Sequence, residues 1–222
     1  MEYRLIGTGR TSDVFEYNEY VLKLYKENMD IGLVEREYYF SKFVYDNGIS
    51  TPKPKAIVSE QNKNGIIFQK INGQLLLKIV IDNPLRFKHM IIKLVELQLN
   101  IHNIELENNE YTFKKYLIKA VENNSQLENS DKTFIQEYIK KLPEGSNLCH
   151  GDFHPENILF DNKDYYIIDW MTAMQGNIAD DVARTEMIIK NAEISGNIPS
   201  IIKKLMTLFQ KKIITNIYKR IL

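Results

Sequence analysis

The sequence predicts an α+β fold of two lobes, in which a small antiparallel sheet precedes a mainly helical part. Residues 3–25 alternate apolar and polar side chains, which is the period of a strand with one buried face. Beyond residue 83, apolar residues recur instead at helical spacing. The polar triplet Asn72–Gln74 separates the two patterns. A chain of 222 residues is long enough for two small lobes, and we expect them at residues 1–72 and 73–222.

Five strands are predicted in the first lobe. Turns near Gly7–Gly9 and at Asn18 divide residues 3–25 into three of them. A proline-marked loop at Thr51–Pro54 leads into the fourth strand, and the turn Asn62–Gly65 leads into the fifth.

Capping residues and apolar periodicity predict the helices. Asp30 and Gly48 delimit the helix of the first lobe, and Asn83 with Pro84 suits the start of the first helix in the second lobe. The predicted helices are residues 30–46, 83–101, 112–123, 131–142 and 181–222. The last segment is strongly amphipathic, which is typical of a helix packed on the lobe; a membrane-surface helix is the alternative.

The composition is that of an ordinary soluble globular protein. The chain has 29 basic and 29 acidic side chains, so its net charge does not indicate a nucleic-acid partner. The single cysteine, Cys149, excludes an intramolecular disulfide and suits a reducing compartment. The first residues lack the pattern of a signal peptide, and no apolar run approaches the ~18 residues of a membrane span. We therefore expect a cytoplasmic protein.

The segment His150–Trp170 concentrates polar side chains beside two short apolar stretches. The turn residues Asp161–Asp164 predict a hairpin in which Phe160 faces Tyr165. Counting back along both strands in this register brings residue 157 beside residue 168.

Three oxygen-bearing side chains converge in this predicted hairpin. Asn157 and Asp169 emerge side by side at its open end, and Asp152 lies five residues before Asn157 in a non-helical loop. Amide and carboxylate oxygens that bind a hard cation without enclosing it suit Mg²⁺, which takes further oxygens from water and substrate phosphates. Asp152 would then orient an attacking hydroxyl, so the pattern predicts phosphoryl transfer.

Two other interpretations of this segment stay open. Asp152 and Asp169 would alternatively be solvated caps of turns. Cys149, His150 and His154 are ligand types for zinc, although their spacing matches no closed structural set. The two histidines are better explained as supports that hydrogen-bond the backbone of the loop, and Cys149 most simply as a small buried residue that ends a strand.

A lysine in an apolar strand and a glutamate on an apolar helix face predict an ion pair. Lys23 lies within the strand Val21–Tyr25 and shares one of its faces with Val21 and Tyr25. A buried lysine there needs an anionic partner. Glu37 falls inside the apolar stripe of the predicted helix at residues 30–46. Because a buried ion pair is costly, a functional pair that holds the ammonium toward a phosphate is favoured over a lysine that faces water.

The glycine-containing turn Gly7–Val14 precedes a strand rather than a helix. It is therefore neither a dinucleotide fingerprint nor a P-loop. A hairpin of this kind either folds over phosphates as a flap or is an ordinary turn.

The motif His-Gly-Asp-x-His-Pro-x-Asn at His150–Asn157, with Ile168–Trp170 downstream, resembles the catalytic segment of the aminoglycoside phosphotransferase and choline kinase family. The step of five residues from Asp152 to Asn157 is also that of the protein-kinase catalytic loop. The resemblance extends over most of the chain. It implies a two-lobed, protein-kinase-like fold and a small-molecule kinase that uses Mg²⁺ and ATP or GTP.

The resemblance implies a role for each matching residue. Asp152 would be the catalytic base, and Asn157 and Asp169 would be ligands of Mg²⁺. Lys23 would bind the nucleotide phosphates, with Glu37 to orient it. The flap glycines, the two valines that sandwich the nucleotide base and the hinge backbone complete the nucleotide site: Gly7, Gly9, Val14, Val21, Gln69, Lys70 and Ile71.

The resemblance also implies a small acceptor that bears a hydroxyl: an aminoglycoside-like compound, an amino alcohol or a sugar. Acids such as Glu105 and Asp180 would suit a cationic acceptor, or are ordinary solvated acids. Asp181 matches a family aspartate that braces the catalytic loop.

Two alternative functions remain. One is a non-catalytic nucleotide-binding regulator, which the complete catalytic set disfavours. The other is a protein kinase, which the absence of a long activation segment after Asp169 disfavours. We expect a monomer or weak dimer that binds neither nucleic acid nor membrane.

Overall fold

The structure of the protein is a computed structural model that describes residues 3–60, 62–107 and 110–191. These residues form antiparallel sheets and several helices, which confirms the predicted α+β class. Among them, no helix is both long and apolar enough to span a membrane.

The chain divides into two compact units. Among the described residues, one unit comprises those up to residue 86 together with 155–172, and the other comprises those from 87 to 154 together with 173–191. We refer to them as the first and second unit. The predicted lobe boundary after residue 72 stays a prediction.

The strands and helices follow one another along the chain with short connections. The strands are β1 (Arg4–Thr8), β2 (Ser12–Tyr17), β3 (Tyr20–Tyr25), β4 (Pro54–Glu60), β5 (Lys63–Gln69), β6 (Gln74–Leu75), β7 (Asn147–Cys149), β8 (Ile158–Phe160), β9 (Tyr165–Ile167) and β10 (Met174–Gly176). The helices are α1 (Ile31–Asp46), α2 (Leu76–Asp82), α3 (Phe87–His102), α4 (Phe113–Glu122), α5 (Asn129–Lys141) and α6 (Ile178–Asn191).

The first unit is built on a five-stranded antiparallel sheet with the order β1-β2-β3-β5-β4. The turn between β2 and β3 is at Asn18, as predicted, and Asn18 adopts a left-handed φ of 53°. Two predicted turns are displaced. Gly7 lies within β1 opposite Val14, beside a shift in register, and Lys63–Gly65 already belongs to β5. The second chain reversal falls instead at Asn62, whose φ of 62° is one that asparagine tolerates better than most residues.

Helix α1 matches its prediction at both ends. The Asp30 side chain accepts a hydrogen bond from the Gly32 N–H at 2.9 Å, which satisfies one of the free N–H groups of the first turn. The helix is followed by Gly48 in the left-handed region, with φ 82°. Its buried residues are Val34, Glu37, Phe40, Ser41 and Val44.

Strands β8 and β9 form the predicted hairpin in the predicted register. Its facing pairs are Phe160 with Tyr165, Leu159 with Tyr166, and Ile158 with Ile167. The Ile168 N–H then donates to the Asn157 carbonyl at 3.0 Å, so the pairing continues to residue 157. The two-residue strand β6 extends this hairpin on the β8 side; two residues are too few to produce a strand pattern in the sequence.

Thr51 ties this hairpin to the loop before β4. Its hydroxyl donates to the Ile167 carbonyl at 2.7 Å and accepts from the Trp170 indole N–H at 3.1 Å. Thr51 is only 4% exposed, so water does not replace these bonds readily.

We expect Thr51→Val to lower the free energy of unfolding by about 1–3 kcal/mol, because valine keeps the shape of threonine and removes both hydrogen bonds. Urea denaturation of the two proteins measures the difference. Thr133→Val is the matched control, since the Thr133 hydroxyl bonds to a carbonyl on an exposed helix surface. Equal stability of the Thr51 variant and the wild type would contradict the importance of these two bonds.

The second unit packs helices around a two-stranded sheet. Helix α3 buries an apolar face that includes Met90, Leu94 and Ile101. Strand β7 pairs antiparallel with β10, and Cys149 ends β7 as predicted. Helices α4 and α5 confirm the helices predicted after residue 112. Of the helix predicted from residue 181 onward, α6 accounts for the part up to Asn191, and the amphipathic remainder lies outside the described residues.

Candidate active site

Lys23 lies on the central strand β3 of the first unit, opposite Val14 and Ile66. It is 9% exposed. Its ammonium group lies 2.7 Å from Glu37 Oε1 and 2.9 Å from Glu37 Oε2. The ion pair that the sequence predicts is therefore present, and Glu37 reaches it from the buried face of α1.

A second carboxylate also contacts the Lys23 ammonium. Asp169 Oδ1 lies 3.0 Å from Nζ, so all three protons of the ammonium have a carboxylate acceptor within reach. Burial alone would lower the pKa of Lys23, but the charges of Glu37 and Asp169 outweigh burial and raise the pKa. The side chain consequently carries its charge at neutral pH.

The two carboxylates differ in how accessible they are. The Glu37 side chain is 1% exposed and the Asp169 side chain is 33% exposed. An incoming ligand therefore meets Asp169 rather than Glu37. This difference makes Glu37 the fixed partner of Lys23 and Asp169 the replaceable one.

Tyr25, which sequence reasoning placed on the same strand face as Lys23 without a role, belongs to this cluster. Its hydroxyl donates to Glu37 Oε2. Glu37 and Asp169 surround the phenol with negative charge, and together with burial, the largest cause, they raise its pKa well above the ordinary value. Tyr25 therefore stays a neutral donor. The signal in the sequence is its position two residues after Lys23 in an apolar strand.

Asp169 directly follows the hairpin and adopts a left-handed backbone with φ 67°. An aspartate in this region is uncommon, and such conformations concentrate at functional sites. Asn157, on the facing strand end, is 7% exposed, and its carbonyl accepts the N–H of Ile168, the neighbour of Asp169. The hairpin thus brings the two backbone positions to the same end, as predicted.

The donor set of Asn157 and Asp169 fits Mg²⁺ rather than zinc. An amide oxygen and a carboxylate are hard oxygen ligands, whereas zinc prefers sulfur and imidazole nitrogen. Among the described residues, no group of three or more His, Cys, Asp or Glu side chains is placed to bind a metal. Burial, reinforced by Asp181, raises the pKa of the Cys149 thiol strongly, in agreement with a small buried residue at the end of β7.

Asp152 belongs to the second unit and lies in a loop that the backbone of Gly151 shapes. Gly151 has a φ of 74°, which favours glycine. Its N–H donates to Asp181 Oδ1 at 2.8 Å, and its carbonyl accepts from the Arg184 guanidinium. Helix α6 therefore holds both backbone polar groups of Gly151, the residue before Asp152.

The two histidines of the motif support this loop, which is one of the interpretations that the sequence allowed. The Asp152 N–H lies 3.2 Å from His150 Nδ1, in hydrogen-bonding position. His154 Nε2 lies 3.6 Å from Asp152 Oδ2. The Asp152 side chain remains 35% exposed, so it is accessible to a small molecule.

Asp181 is the centre of a buried polar network in the second unit. His102 Nε2 lies 2.9 Å from Asp181 Oδ2, and the Gln98 side-chain amide donates to the same oxygen and to Thr185. Burial alone would raise the pKa of Asp181, but its contacts to His102 and Gly151 hold the pKa below its ordinary value. Gln98 and His102 were not predicted; polar residues on the otherwise apolar face of α3 are the signal in the sequence.

We expect Asp181→Asn to lower the free energy of unfolding by about 1.5–3 kcal/mol at neutral pH, the typical contribution of a hydrogen bond to a charged group, because the buried carboxylate accepts from the Gly151 N–H and the Gln98 amide. Because folding depresses the pKa of Asp181, its contribution is present above the pKa of the unfolded chain, about 3.9, and is lost as the pH falls. Thermal unfolding of both proteins should therefore give melting temperatures that converge below about pH 4. A constant difference down to pH 2 would contradict this ionised role.

The predicted flap lies at the β1–β2 turn. The Gly9 N–H donates to the Ser12 carbonyl at 2.8 Å, and a Cβ at Gly9 would lie 3.3 Å from the same oxygen. A Cβ added at Gly7 would make only ordinary van der Waals contact, with Val14 Cβ at 3.7 Å. The turn thus requires a small residue at Gly9 more than at Gly7.

The other predicted nucleotide-binding residues lie on the same sheet of the first unit or directly after its strand β5. Val21 on β3 faces Phe68 on β5. Gln69 ends β5, and the Lys70 N–H donates to the Glu19 carbonyl at 3.3 Å. The Lys70 ammonium contacts Glu16 at 2.5 Å. Ile71 follows after the strand.

The chain matches known proteins along most of its length. A family model described as "Phosphotransferase enzyme family" matches residues 2–192. The aminoglycoside phosphotransferase APH(4)-Ia is 16% identical with a TM-score of 0.62, and the match covers 95% of this chain and 77% of that chain. An aminoglycoside-3'-phosphotransferase of type VIII is 13% identical with a TM-score of 0.61, over 96% of this chain and 84% of that chain.

An antibiotic kinase has the same fold. The amicoumacin kinase hAmiN, solved with AMP-PNP, Ca²⁺ and Ami, is 12% identical with a TM-score of 0.61, over 96% of this chain and 72% of that chain. No curated protein matches the sequence. At these identities the solved structures establish the shared fold, and the prediction of a protein-kinase-like fold is confirmed.

Proposed function

Because this chain belongs to the phosphotransferase enzyme family, we propose that it transfers the γ-phosphoryl group of ATP or GTP to a hydroxyl of a small molecule. Family membership confirms the resemblance noted at His150–Asn157 and the prediction of a phosphotransferase. The observation that carries the proposal is the charged, buried Lys23 ammonium between Glu37 and the more exposed Asp169. A structural ion pair does not need a second, accessible carboxylate.

On the nucleotide side, Lys23 neutralises phosphate charge and Glu37 holds it in place. Asp169 and Asn157 would hold Mg²⁺, which when bound neutralises charge on the β- and γ-phosphates. With Asp169 engaged as a metal ligand, the Lys23 ammonium would donate to a phosphate oxygen the hydrogen bond that Asp169 Oδ1 accepts at 3.0 Å. The backbone of Gln69–Ile71 would bond the edge of the nucleotide base, and Val14 and Val21 would pack on its faces.

On the acceptor side, Asp152 is the proposed general base. It accepts the proton of the acceptor hydroxyl as the hydroxyl oxygen attacks the γ-phosphorus; the bond from this phosphorus to the β–γ bridging oxygen breaks, and the nucleoside diphosphate leaves. Two features support this role: the Asp152 carboxylate is partly exposed, and α6 fixes the backbone N–H and carbonyl of Gly151, the residue before it. Such positioning supplies much of the catalysis in phosphoryl transfer.

The acceptor class that we propose is an aminoglycoside-like compound, an amino alcohol or a sugar. Two solved structures of this fold support this choice: the aminoglycoside phosphotransferase APH(4)-Ia was solved with ADP and hygromycin B, and APH(2")-IIa with ATP and streptomycin. A cytoplasmic location and a monomer or weak dimer also stay predictions.

The experiment that tests the proposal measures Mg²⁺-dependent nucleotide turnover with a panel of aminoglycosides, amino alcohols and sugars. Turnover that requires one acceptor class and disappears in Asp152→Asn supports the proposal and identifies the class. Tight binding of Mg-nucleotide without turnover on any acceptor would favour the non-catalytic regulator. Phosphorylation of protein substrates instead would favour the protein kinase.

A further inference from the structure

Tyr25 contacts both members of the Lys23–Glu37 ion pair. It ends β3 two residues after Lys23 and is fully buried, with 0% exposure. Its hydroxyl donates to Glu37 Oε2. The Lys23 ammonium lies 5.5 Å from the centroid of its ring, within the range of a cation–π interaction.

Packing alone does not explain a tyrosine at this position. Its ring forms an apolar cluster with Val34 and Ile66, which are both fully buried. Phenylalanine would fill such a cluster without the cost of burying a hydroxyl. The hydroxyl is satisfied by Glu37, so the functional difference between the two residues lies in that one hydrogen bond.

We propose that Tyr25 is a positioning residue, which fixes the Glu37 carboxylate in the orientation that presents the Lys23 ammonium to the nucleotide phosphates. This inference rests on the proposed function, in which Lys23 binds those phosphates. Tyr25 itself does not contact the nucleotide in this proposal; it acts through Glu37.

The charges around Glu37 explain why a donor is needed there. Burial raises the pKa of Glu37 and the charge of Asp169 raises it further, whereas Lys23 and the Tyr25 hydrogen bond lower it. Without the hydroxyl, the carboxylate loses one of the two groups that favour its ionised form. Once protonated, Glu37 no longer holds the ammonium, and Lys23 then pairs with Asp169 alone.

The test is Tyr25→Phe, which keeps the ring and removes the hydroxyl. We expect the Kd for Mg-ATP at pH 7, measured by isothermal titration calorimetry, to rise about 3- to 10-fold, because a hydrogen bond to a charged group is lost. Affinity should also begin to fall at a higher pH than in the wild type as the solution is acidified, because the pKa of Glu37 rises. Tyr39→Phe on α1, where the ring is 48% exposed, is the control and should match the wild type.

A double-mutant cycle separates positioning from a general effect on stability. Glu37→Gln should weaken Mg-ATP binding more than Tyr25→Phe does, and Tyr25→Phe should add nothing in the Glu37→Gln background. Additive losses, an unshifted pH profile or an unchanged Kd in Tyr25→Phe would each overturn the proposal. If the phenylalanine variant folds poorly, the Glu37→Gln variant decides: affinity equal to the wild type overturns the proposal.

The proposed function is tested separately by the wild type in the same titrations. A wild-type protein that binds no Mg-ATP would overturn the proposed function. A wild type that binds Mg-ATP together with a Tyr25→Phe variant of equal affinity would overturn only the role of Tyr25.

Discussion

Asp152→Asn should reduce turnover of the acceptor by about 10²–10⁴-fold, the contribution that a general base typically makes, while the Kd for Mg-nucleotide stays within about twofold. Asparagine has nearly the shape of aspartate and accepts a hydrogen bond, but its neutral amide does not take up the proton of the acceptor hydroxyl. The loss should therefore appear in kcat rather than in nucleotide binding.

The loop around Asp152 makes this variant interpretable. Its backbone is held by Gly151 contacts to Asp181 and Arg184, none of which uses the Asp152 side chain. The substitution should leave the fold intact, which thermal unfolding checks. Asp164→Asn is the matched control, since Asp164 is an exposed aspartate in the turn of the β8–β9 hairpin. Turnover of Asp152→Asn within tenfold of the wild type would remove Asp152 from its role as base.

Local sequence patterns predicted the parts of the site that depend on short-range structure. The hairpin register followed from one turn and the alternation of two strands, and it brought Asn157 and the chain before Asp169 to the same end. The Lys23–Glu37 pair followed from a different argument: each was a charge on an apolar face, and the two elements are separated by only a few residues. Because burying an unpaired charge is costly, two such residues on neighbouring elements are expected to pair with each other.

The contacts that sequence reasoning missed depend on which elements pack together. Gln98 and His102 reach Asp181 across about 80 residues of chain, and no local pattern specifies that approach. Strand β10, which pairs with β7, contains only three residues, too few for a periodic signal. Tyr25 was placed on the correct face, but its hydrogen bond to Glu37 depends on how α1 packs against the sheet.

Asp169→Asn should weaken ATP binding when Mg²⁺ is present and leave it unchanged or tighter when Mg²⁺ is absent. With Mg²⁺ present, the Kd for ATP should rise by at least about 10–100-fold, the loss typical when even outer partners of a metal site are removed. With Mg²⁺ removed by a chelator, ATP should bind as tightly as to the wild type or more tightly. The variant then carries one negative charge fewer beside the phosphates, and the Lys23 ammonium has lost a competing carboxylate at 3.0 Å.

Asparagine is the informative replacement because Asp169 has a φ of 67°, and asparagine tolerates this conformation whereas alanine is strained there. A change in affinity then reports the lost charge rather than a distorted backbone. Asp82→Asn is the control: Asp82 also pairs with a lysine, Lys78, at 2.9 Å, but on the exposed surface of α2, where screening makes such pairs weak. If Asp169→Asn weakened ATP binding equally with and without Mg²⁺, Asp169 would serve only to place Lys23. A loss of ATP affinity that occurs only with Mg²⁺ present would mean that the Asp169 carboxylate acts through the metal. Without Mg²⁺, removal of its charge beside Lys23 would then leave ATP affinity unchanged or improved.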